Sequence, residues 1–287
     1  MTATEAASLV KTLRRQLWLA TLIRVLLMGI VLLGVAAAFA QPAAAKTSDP
    51  LWAAAFLAGA GWIVLAICSA RQVRATNQAS VYLSTGRLDL AEEQLKTALR
   101  LVSLYRAGKL LVCHNLAVVA HGQRNFAAAA ELCDGVLASG VSASHRLGRL
   151  CRILLADCRL YLGDTAAAVR AIAPLNSDDP GLGLSERLML LPIELRCQVS
   201  EGRFVQAAAA LDQKVMLAGL LDSPKAALVH AMLARACGAA GQVQVAAFLM
   251  ARAELYHDLG ELAERYPILR DSPDDGQMAD NSTERKP

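Results

Sequence analysis

The chain of 287 residues carries a net charge of +4, and 55% of its residues are hydrophobic. Its mean hydropathy of +0.37 is high for a wholly soluble protein, because alanine is abundant throughout and apolar residues concentrate near the N-terminus. The basic residues are spread along the chain, and five Phe and five Tyr provide few aromatic platforms for bases. The composition therefore argues against a nucleic-acid-binding protein.

Residues 1–15 form a predicted amphipathic helix with apolar and basic side chains at helical spacing. The apolar positions are Ala7, Leu9, Val10 and Leu13, and the basic positions are Lys11, Arg14 and Arg15. A basic amphipathic helix is typical of segments that lie in the membrane interface. We expect this segment to lie along the cytoplasmic membrane surface.

Two apolar runs follow, at residues 25–45 and 51–70, and each is close to the length that crosses a bilayer as a helix. They predict a transmembrane hairpin within residues 16–70, with helices at about 20–41 and 51–70. Trp18 and Trp52 stand where interfacial aromatic residues are expected. Arg24 is tolerable at the start of the first helix if its side chain extends to the interface.

Basic residues on both sides of the predicted hairpin indicate its orientation. Lys11, Arg14 and Arg15 precede it and Arg71 and Arg74 follow it, whereas the connecting segment holds only Lys46 against Asp49. The positive-inside rule places both termini and the bulk of the chain in the cytoplasm, as expected for an inner-membrane or plasma-membrane protein.

An alternative interpretation treats the first apolar run as a cleaved signal peptide. Three basic residues, an apolar core and the small-residue site "AFA" at 38–40 fit that pattern, although the basic region is long. The remainder of the chain would then be an extracytoplasmic repeat protein in envelope assembly or secretion. Both placements stay open at this point.

A step from glycine to alanine, five residues apart, recurs along the rest of the chain. The pairs are Gly86 and Ala91, Gly163 and Ala168, Gly202 and Ala207, and Gly241 and Ala246. In the one remaining unit, Arg124 stands at the glycine position and Ala129 at the alanine position. The alanines are separated by 38, 39, 39 and 39 residues. Such a period predicts five helical hairpins, in which the glycine ends the first helix in a left-handed conformation.

When the five units are aligned with one another, further positions also support the repeat. Four residues after the alanines stand Leu95, Cys133, Ile172, Leu211 and Met250, and seven residues before the turns stand Ala79, Ala117, Ala156, Leu195 and Ala234. This pattern of small and apolar residues resembles the tetratricopeptide (TPR) repeat over about residues 71–266. The resemblance implies an all-α solenoid of five TPR-like units whose first helices line a concave surface that binds other proteins.

Candidate partner-binding residues lie on the predicted first helices. Asn77 and Asn115 occupy the position at which some family members hold a peptide carboxylate, but the matching basic positions are apolar. Arg146, Arg149 and Arg152 recur every third residue and form a predicted site for an acidic partner. The alternative is that these arginines pair with Asp134, Asp157 or Asp164 on neighbouring helices.

No motif predicts an enzyme, a cofactor or a metal. The chain has no GxSxG, Walker or HExxH motif, and its five histidines are scattered. Its seven cysteines form no CxxC and are expected to be reduced, buried thiols. A site built from Cys151 and Cys158 remains the one enzymatic or metal-binding alternative. The last helix is predicted at about residues 243–266, followed by a disordered acidic tail at 267–287.

Overall fold

The computed structural model describes residues 1–40, 49–101, 103–142, 144–175 and 181–270. Within these ranges all regular structure is helical, as the sequence predicts, and the connection at 41–48 and the predicted tail from 271 onward lie outside them. The helices are α1 (Ala3–Ala40), α2 (Asp49–Ser84), α3 (Leu88–Arg100), α4 (Arg106–Gly122), α5 (Phe126–Leu137), α6 (Arg146–Tyr161), α7 (Thr165–Ile172), α8 (Leu184–Ser200), α9 (Phe204–Ala208), α10 (Leu211–Ala218), α11 (Ser223–Ala239), α12 (Val243–Tyr256) and α13 (Leu259–Arg265), with a 3₁₀ turn at Pro267–Leu269.

The two N-terminal helices are long and expose apolar side chains. α1 has 38 residues and α2 has 36, and both are long and apolar enough to cross a membrane by length and composition. Val25 is 67% exposed and Phe56 is 76% exposed, and Trp18, Arg24 and Trp52 are exposed as well. Large contiguous apolar surfaces of this kind are typical of contact with lipid or with a partner.

Five turns with one backbone geometry connect the helices of each hairpin. The φ angles are 73° at Gly86, 59° at Arg124, 79° at Gly163, 70° at Gly202 and 79° at Gly241. The N–H group of the next residue donates to the carbonyl five positions before it, at 2.8–2.9 Å in all five turns. This hydrogen bond defines the Schellman motif, which ends a helix in a left-handed residue. Arg124 therefore occupies the position that glycine holds in the other four units.

The residue after each turn is also the N-cap of the second helix. Because the chain reverses within so few residues, the two helices cross close to the turn, and small side chains fill the crossing. Ala91, Ala129, Ala168 and Ala207 are fully buried and Ala246 is half-buried. The column seven residues before the turns (Ala79, Ala117, Ala156, Leu195 and Ala234) is at most 2% exposed.

The helices group into two compact units, with the division inside α6, after Cys158. In the first unit, α2 pairs with α3, α4 pairs with α5, and α3 packs against α4. In the second unit, α8 packs against α9 and α10, α11 pairs with α12, and α8 also contacts α11. Leu195, Met232 and Leu249 are almost fully buried members of the apolar core of this second unit.

The N-terminal half of α1 packs against the first unit. Its apolar residues Leu9, Val10 and Leu13 are buried, mainly against α5. At Gly135 a Cβ atom would lie 2.6 Å from Cγ2 of Val10, so only glycine permits this approach. This differs from the expectation that residues 1–15 lie on the membrane surface, because the apolar face is covered by the repeats.

Polar contacts hold the same helix in place. The Lys96 ammonium of α3 pairs with the carboxylates of Glu5 and Glu92, the latter at 2.6 Å. The Gln16 amide donates to the carbonyl of Arg100 at 3.4 Å. The first half of α1 is therefore an integral part of the first unit.

The second helix of the fourth repeat is broken, which the periodicity did not predict. Ala210 adopts a left-handed conformation with φ 52°, which separates α9 from α10. The Lys214 ammonium donates to the carbonyls of Gln206 and Ala207 at 3.1 and 2.7 Å. It therefore bonds to carbonyls at the end of α9, where the regular helical pattern stops.

The C-terminal boundary also differs from the expectation. The helix predicted at 243–266 is interrupted at Asp258, whose carboxylate caps α13 by accepting from the Glu261 N–H at 3.0 Å. The 3₁₀ turn at Pro267–Leu269 extends regular structure into the segment predicted to be the tail. The periodic pattern could not locate this short capped helix.

We predict that Arg124→Gly raises the free energy of unfolding by about 0.5 to 1 kcal/mol, because a left-handed conformation is unfavourable for any residue with a Cβ. Denaturant titration of the detergent-solubilised protein, followed by helical circular dichroism, measures the change. Gly163→Ala should lower the free energy of unfolding by about 1 kcal/mol for the same reason. The added Cβ would meet no atom within 4 Å, so the backbone conformation alone accounts for the change. The matched control, Arg170→Gly within α7, should destabilise; a stabilisation there or none at position 124 would contradict the argument.

Candidate interaction surfaces

Equivalent positions on α2 and α4 form an exposed strip, here called the first-helix face. It comprises Val73 and Asn77 of α2 and Leu111, Asn115 and Val118 of α4. Val73 and Leu111 stand thirteen residues before their turns, and the two asparagines nine residues before theirs. α2 and α4 also contact each other directly. The predicted residues Asn77 and Asn115 thus lie at matching places on neighbouring helices, with Asn77 exposed and Asn115 half-buried.

The chemistry of this face suits an extended peptide with apolar side chains. An asparagine amide both donates and accepts, so it can hydrogen-bond with a peptide backbone. Val73 and Leu111 are apolar and both are exposed. The face therefore offers apolar contact beside amide groups and no positive charge at those two positions.

The three arginines on α6 do not share one exposed surface. Arg146 is exposed, whereas Arg149 and Arg152 are half-buried. The Arg149 guanidinium donates to the Ser144 carbonyl at 2.5 Å. Arg152 occupies a repeat position that is buried in the other four units, where it is held by Ala75, Cys113, Leu191 and His230. Of the three arginines, Arg146 alone is exposed to solvent.

Two of the aspartates considered as partners of these arginines make further contacts of their own. Oδ2 of Asp157 lies 2.8 Å from Nε2 of His121 on α4. The Asp164 carboxylate caps α7 by accepting from the Ala167 N–H at 2.9 Å. The side chains of Arg149 and Arg152 are half-buried, so they are less accessible to a partner than that of Arg146.

A cluster of buried thiols lies between α4, α5 and α6. It consists of Cys113, Cys133, Cys151 and Cys158, all fully buried. Sγ of Cys151 lies 3.4 Å from Nδ1 of His114. Hydrogen bonding with Cys133, and then with His114, lowers the pKa of the Cys151 thiol to about 6 despite its burial. The sequence did not indicate this pairing, because Cys151 and His114 are 37 residues apart.

The thiol cluster has no access to solvent and presents no accessible nucleophile. All seven cysteines are free, and six of them are buried, as expected of reduced thiols used in packing. Across the part of the chain that the structure describes, no group of three or more His, Cys, Asp or Glu is arranged to hold a metal ion. The arrangement therefore favours a packing role for these thiols between neighbouring repeats.

In the second unit, the chain's own C-terminal segment lies across the first helices. The Arg196 guanidinium of α8 lies 4.7 Å from the ring centroid of Tyr161 and 5.1 Å from that of Tyr266. The Arg235 guanidinium of α11, at the equivalent position one repeat later, donates to the Ile268 carbonyl. The hydroxyls of Tyr161 and Tyr266 are 3.1 Å apart. These contacts cover this part of α8 and α11 with residues 266–268.

His230 of α11 is a buried polar residue without hydrogen bonds. Its exposure is 0%, and within the described ranges neither ring nitrogen has a hydrogen-bond partner. The ring stacks on Tyr256, with centroids 5.5 Å apart and planes 15° from parallel. Burial, with a smaller contribution from Arg252, lowers the pKa of His230, so that folding favours the neutral ring.

Comparison with known proteins identifies related folds only among solved structures. No protein-family model matches the chain, and no curated protein matches it. Two crystal structures of a Podosopora anserina protein, described as a putative kinesin light chain with nearly identical TPR-like repeats, are similar to it. The first, of a single-residue variant, is 22% identical, covers 67% of this chain and 96% of its own, and has a TM-score of 0.48. The second is 22% identical, covers 65% and 94%, and has a TM-score of 0.46. Both are described as having TPR-like repeats.

We predict that the free energy of unfolding falls as the pH decreases from 7 to 5, and that His230→Leu reduces this dependence. The pKa of His230 is lowered in the folded state, so the unfolded chain binds more protons below the ordinary histidine pKa of about 6.5, and acid favours unfolding. Removing an unsatisfied buried ring should also stabilise the protein at pH 7 by about 1 kcal/mol.

Denaturant titrations at several pH values measure both effects. His145→Gln, at an exposed histidine, is the matched control and should leave the slope unchanged. An equally steep acid dependence in His230→Leu would show that another group causes it.

Proposed function

We propose that the protein is a membrane-anchored, TPR-like scaffold that binds other proteins through the first-helix face of its first unit. The observation that carries the proposal is the continuity of α2. Its first half exposes apolar residues such as Phe56 and Ile63, and its second half is the first helix of the first repeat. One helix therefore combines a surface suited to lipid with a surface suited to a protein.

The anchoring part of the proposal rests on the exposed apolar surface of α1 and α2. Burying a large apolar side chain is worth about 1.5 to 3 kcal/mol, and many such side chains are exposed here. Val25, Leu33, Leu57 and Ile63 are among those at least half exposed. A bilayer covers a surface of this length and composition.

The proposed orientation keeps both termini and the repeats in the cytoplasm of a bacterial-type cell. Basic residues flank the hairpin and the connecting segment has few, which favours that orientation. All seven cysteines are free, as is usual in a reducing compartment. We also propose that the protein is not an enzyme and needs neither a cofactor nor a metal.

The partner proposed for the first-helix face is an extended, largely apolar protein segment. Leu111 and Val118 provide apolar contact, and the amides of Asn77 and Asn115 can pair with its backbone. Arg146, exposed on α6, adds a charge that can receive an acidic side chain; Arg149 and Arg152 are not assigned to binding.

We predict that a photo-crosslinking amino acid at position 111 captures partner proteins in intact cells, whereas the same residue at position 90 does not. Leu111 is 43% exposed on the first helix α4, and Leu90 is 41% exposed on the second helix α3, so the two sites differ in face rather than in accessibility. Gel analysis and mass spectrometry of the adducts identify what is captured.

The companion variant Leu111→Glu should abolish the capture of the same proteins by affinity purification, because it places a charge within an apolar contact. Leu90→Glu is the matched control. Equal crosslinking at both positions, or partners that survive Leu111→Glu, would remove the first-helix face from the proposal.

The alternative function, an extracytoplasmic repeat protein with a processed N-terminus, is separated from the leading one by topology. The native thiols cannot report it, since six of seven are buried. We predict that Gln213→Cys, at an exposed site on α10, reacts with a membrane-impermeant maleimide only after permeabilisation. Thr47→Cys, between the two apolar helices, should react in intact cells. The reverse pattern would support the extracytoplasmic alternative.

A further inference from the structure

A cationic cleft lies where α1 leaves the first unit and its exposed apolar surface begins. Its volume is about 300 Å³, and its polar lining includes Arg14, Thr21 and Arg24 of α1 together with Arg106 of α4 and Ser139. Trp18 forms one wall. No carboxylate is among the described residues that line it, so its three guanidinium groups give it a strongly positive character.

Two of the three arginines are held in place by hydrogen bonds that leave donors for a ligand. Arg24 donates to the Leu104 carbonyl, and Arg106 donates to the Ser139 carbonyl. A guanidinium carries five N–H donors in a planar fork, so one such bond leaves others for an anion. The Arg24 contact also gives a polar partner to an arginine that stands within α1 just before its exposed apolar stretch.

The loop that receives Arg24 is itself fixed. The buried Lys109 ammonium donates to the Leu99 carbonyl at 2.8 Å and to the Leu101 carbonyl. Ser103 accepts a hydrogen bond from the Tyr105 N–H at 3.1 Å. These bonds hold residues on both sides of Leu104, whose carbonyl accepts from Arg24.

An apolar cleft adjoins the cationic one. It is lined by Trp18, Thr21, Leu22, Val25 and Leu26, and its volume is about 310 Å³. Trp18 and Thr21 line both clefts, so the two are adjacent along α1. The combined site is positive at one end and apolar at the other.

We propose that this site binds an anionic phospholipid. The phosphate of the headgroup pairs with Arg14, Arg24 and Arg106, and an acyl chain follows Leu22, Val25 and Leu26 toward the bilayer. Bidentate pairing of arginine with phosphate is strong and directional, and basic clefts at the cytoplasmic end of membrane helices suit anionic headgroups. The apolar half distinguishes a lipid from a soluble phosphate, which has nothing to place there. The inference rests on the proposed membrane anchoring.

The test uses the full-length protein in a neutral detergent, with the shift in its thermal unfolding temperature as the readout. Phosphatidylglycerol should raise this temperature, whereas phosphatidylcholine and inorganic phosphate at the same concentrations should not. Arg14→Gln should weaken the apparent affinity for phosphatidylglycerol about fivefold, as expected for one basic residue at a lipid surface. Arg106→Gln should act in the same direction, and Arg170→Gln, at an exposed arginine of α7, is the matched control.

Three results would overturn the proposal: equal shifts with both lipids, a full shift with phosphate alone, or no effect of Arg14→Gln and Arg106→Gln. Circular dichroism verifies that each variant is folded before it is scored. Carbonate extraction of membranes separates this proposal from the anchoring on which it rests. Protein that stays in the membrane pellet but shows no lipid preference rejects the lipid site alone, and release of the protein by carbonate rejects the anchoring as well.

Discussion

The architecture depends on one hydrogen bond, donated by the residue after each turn to the carbonyl five positions earlier. This bond ends the first helix of each hairpin and requires a left-handed residue at the turn. It also makes the residue after the turn the N-cap of the second helix, which brings the two helices into contact within a few residues. Small side chains are then required at the crossing, and the alanines at intervals of 38 and 39 residues meet that requirement.

A second constraint is that apolar helix faces must be covered. A hairpin cannot bury its apolar surface alone, so neighbouring hairpins cover most of it. The two units complete this covering with different segments of the chain. In the first, α5 is covered by the N-terminal half of α1, at a contact so close that position 135 must be glycine. In the second, residues 266–268 lie against α8 and α11, with Tyr266 buried beside Arg196.

Local features of the fold were predictable from the sequence, and contacts between distant segments were not. The left-handed turn at Arg124 followed from the register of the repeat, although no glycine marks it. The break at Ala210 was missed, because it depends on Lys214 satisfying carbonyls that a helix would otherwise bond. The cover over α5 was missed for another reason. Helical periodicity shows that residues 1–15 have an apolar face, but it cannot show whether lipid or protein covers that face.

The candidate surfaces show the same difference between local features, which were predictable, and contacts between distant segments, which were not. Asn77 and Asn115 were identified from the resemblance to the TPR repeat, and the structure places them at equivalent positions on α2 and α4. Arg149 and Arg152 were grouped with Arg146 by spacing alone. In the structure they are half-buried, whereas Arg146 is exposed. The contacts of Arg24 and Arg106 join residues 80 and 33 positions apart in sequence, so no local pattern could have indicated the cleft that they line.

The continuity of α2 has a mechanical consequence. Its repeat portion, residues 71–84, rises about 21 Å beyond the apolar portion at 1.5 Å per residue. No flexible linker separates the two portions, because the helix runs without interruption from Asp49 to Ser84. In the proposed membrane setting, a protein bound at Asn77 would be kept at a fixed distance from the headgroups. Tilting of the membrane-embedded part of α2 would displace that bound protein parallel to the membrane.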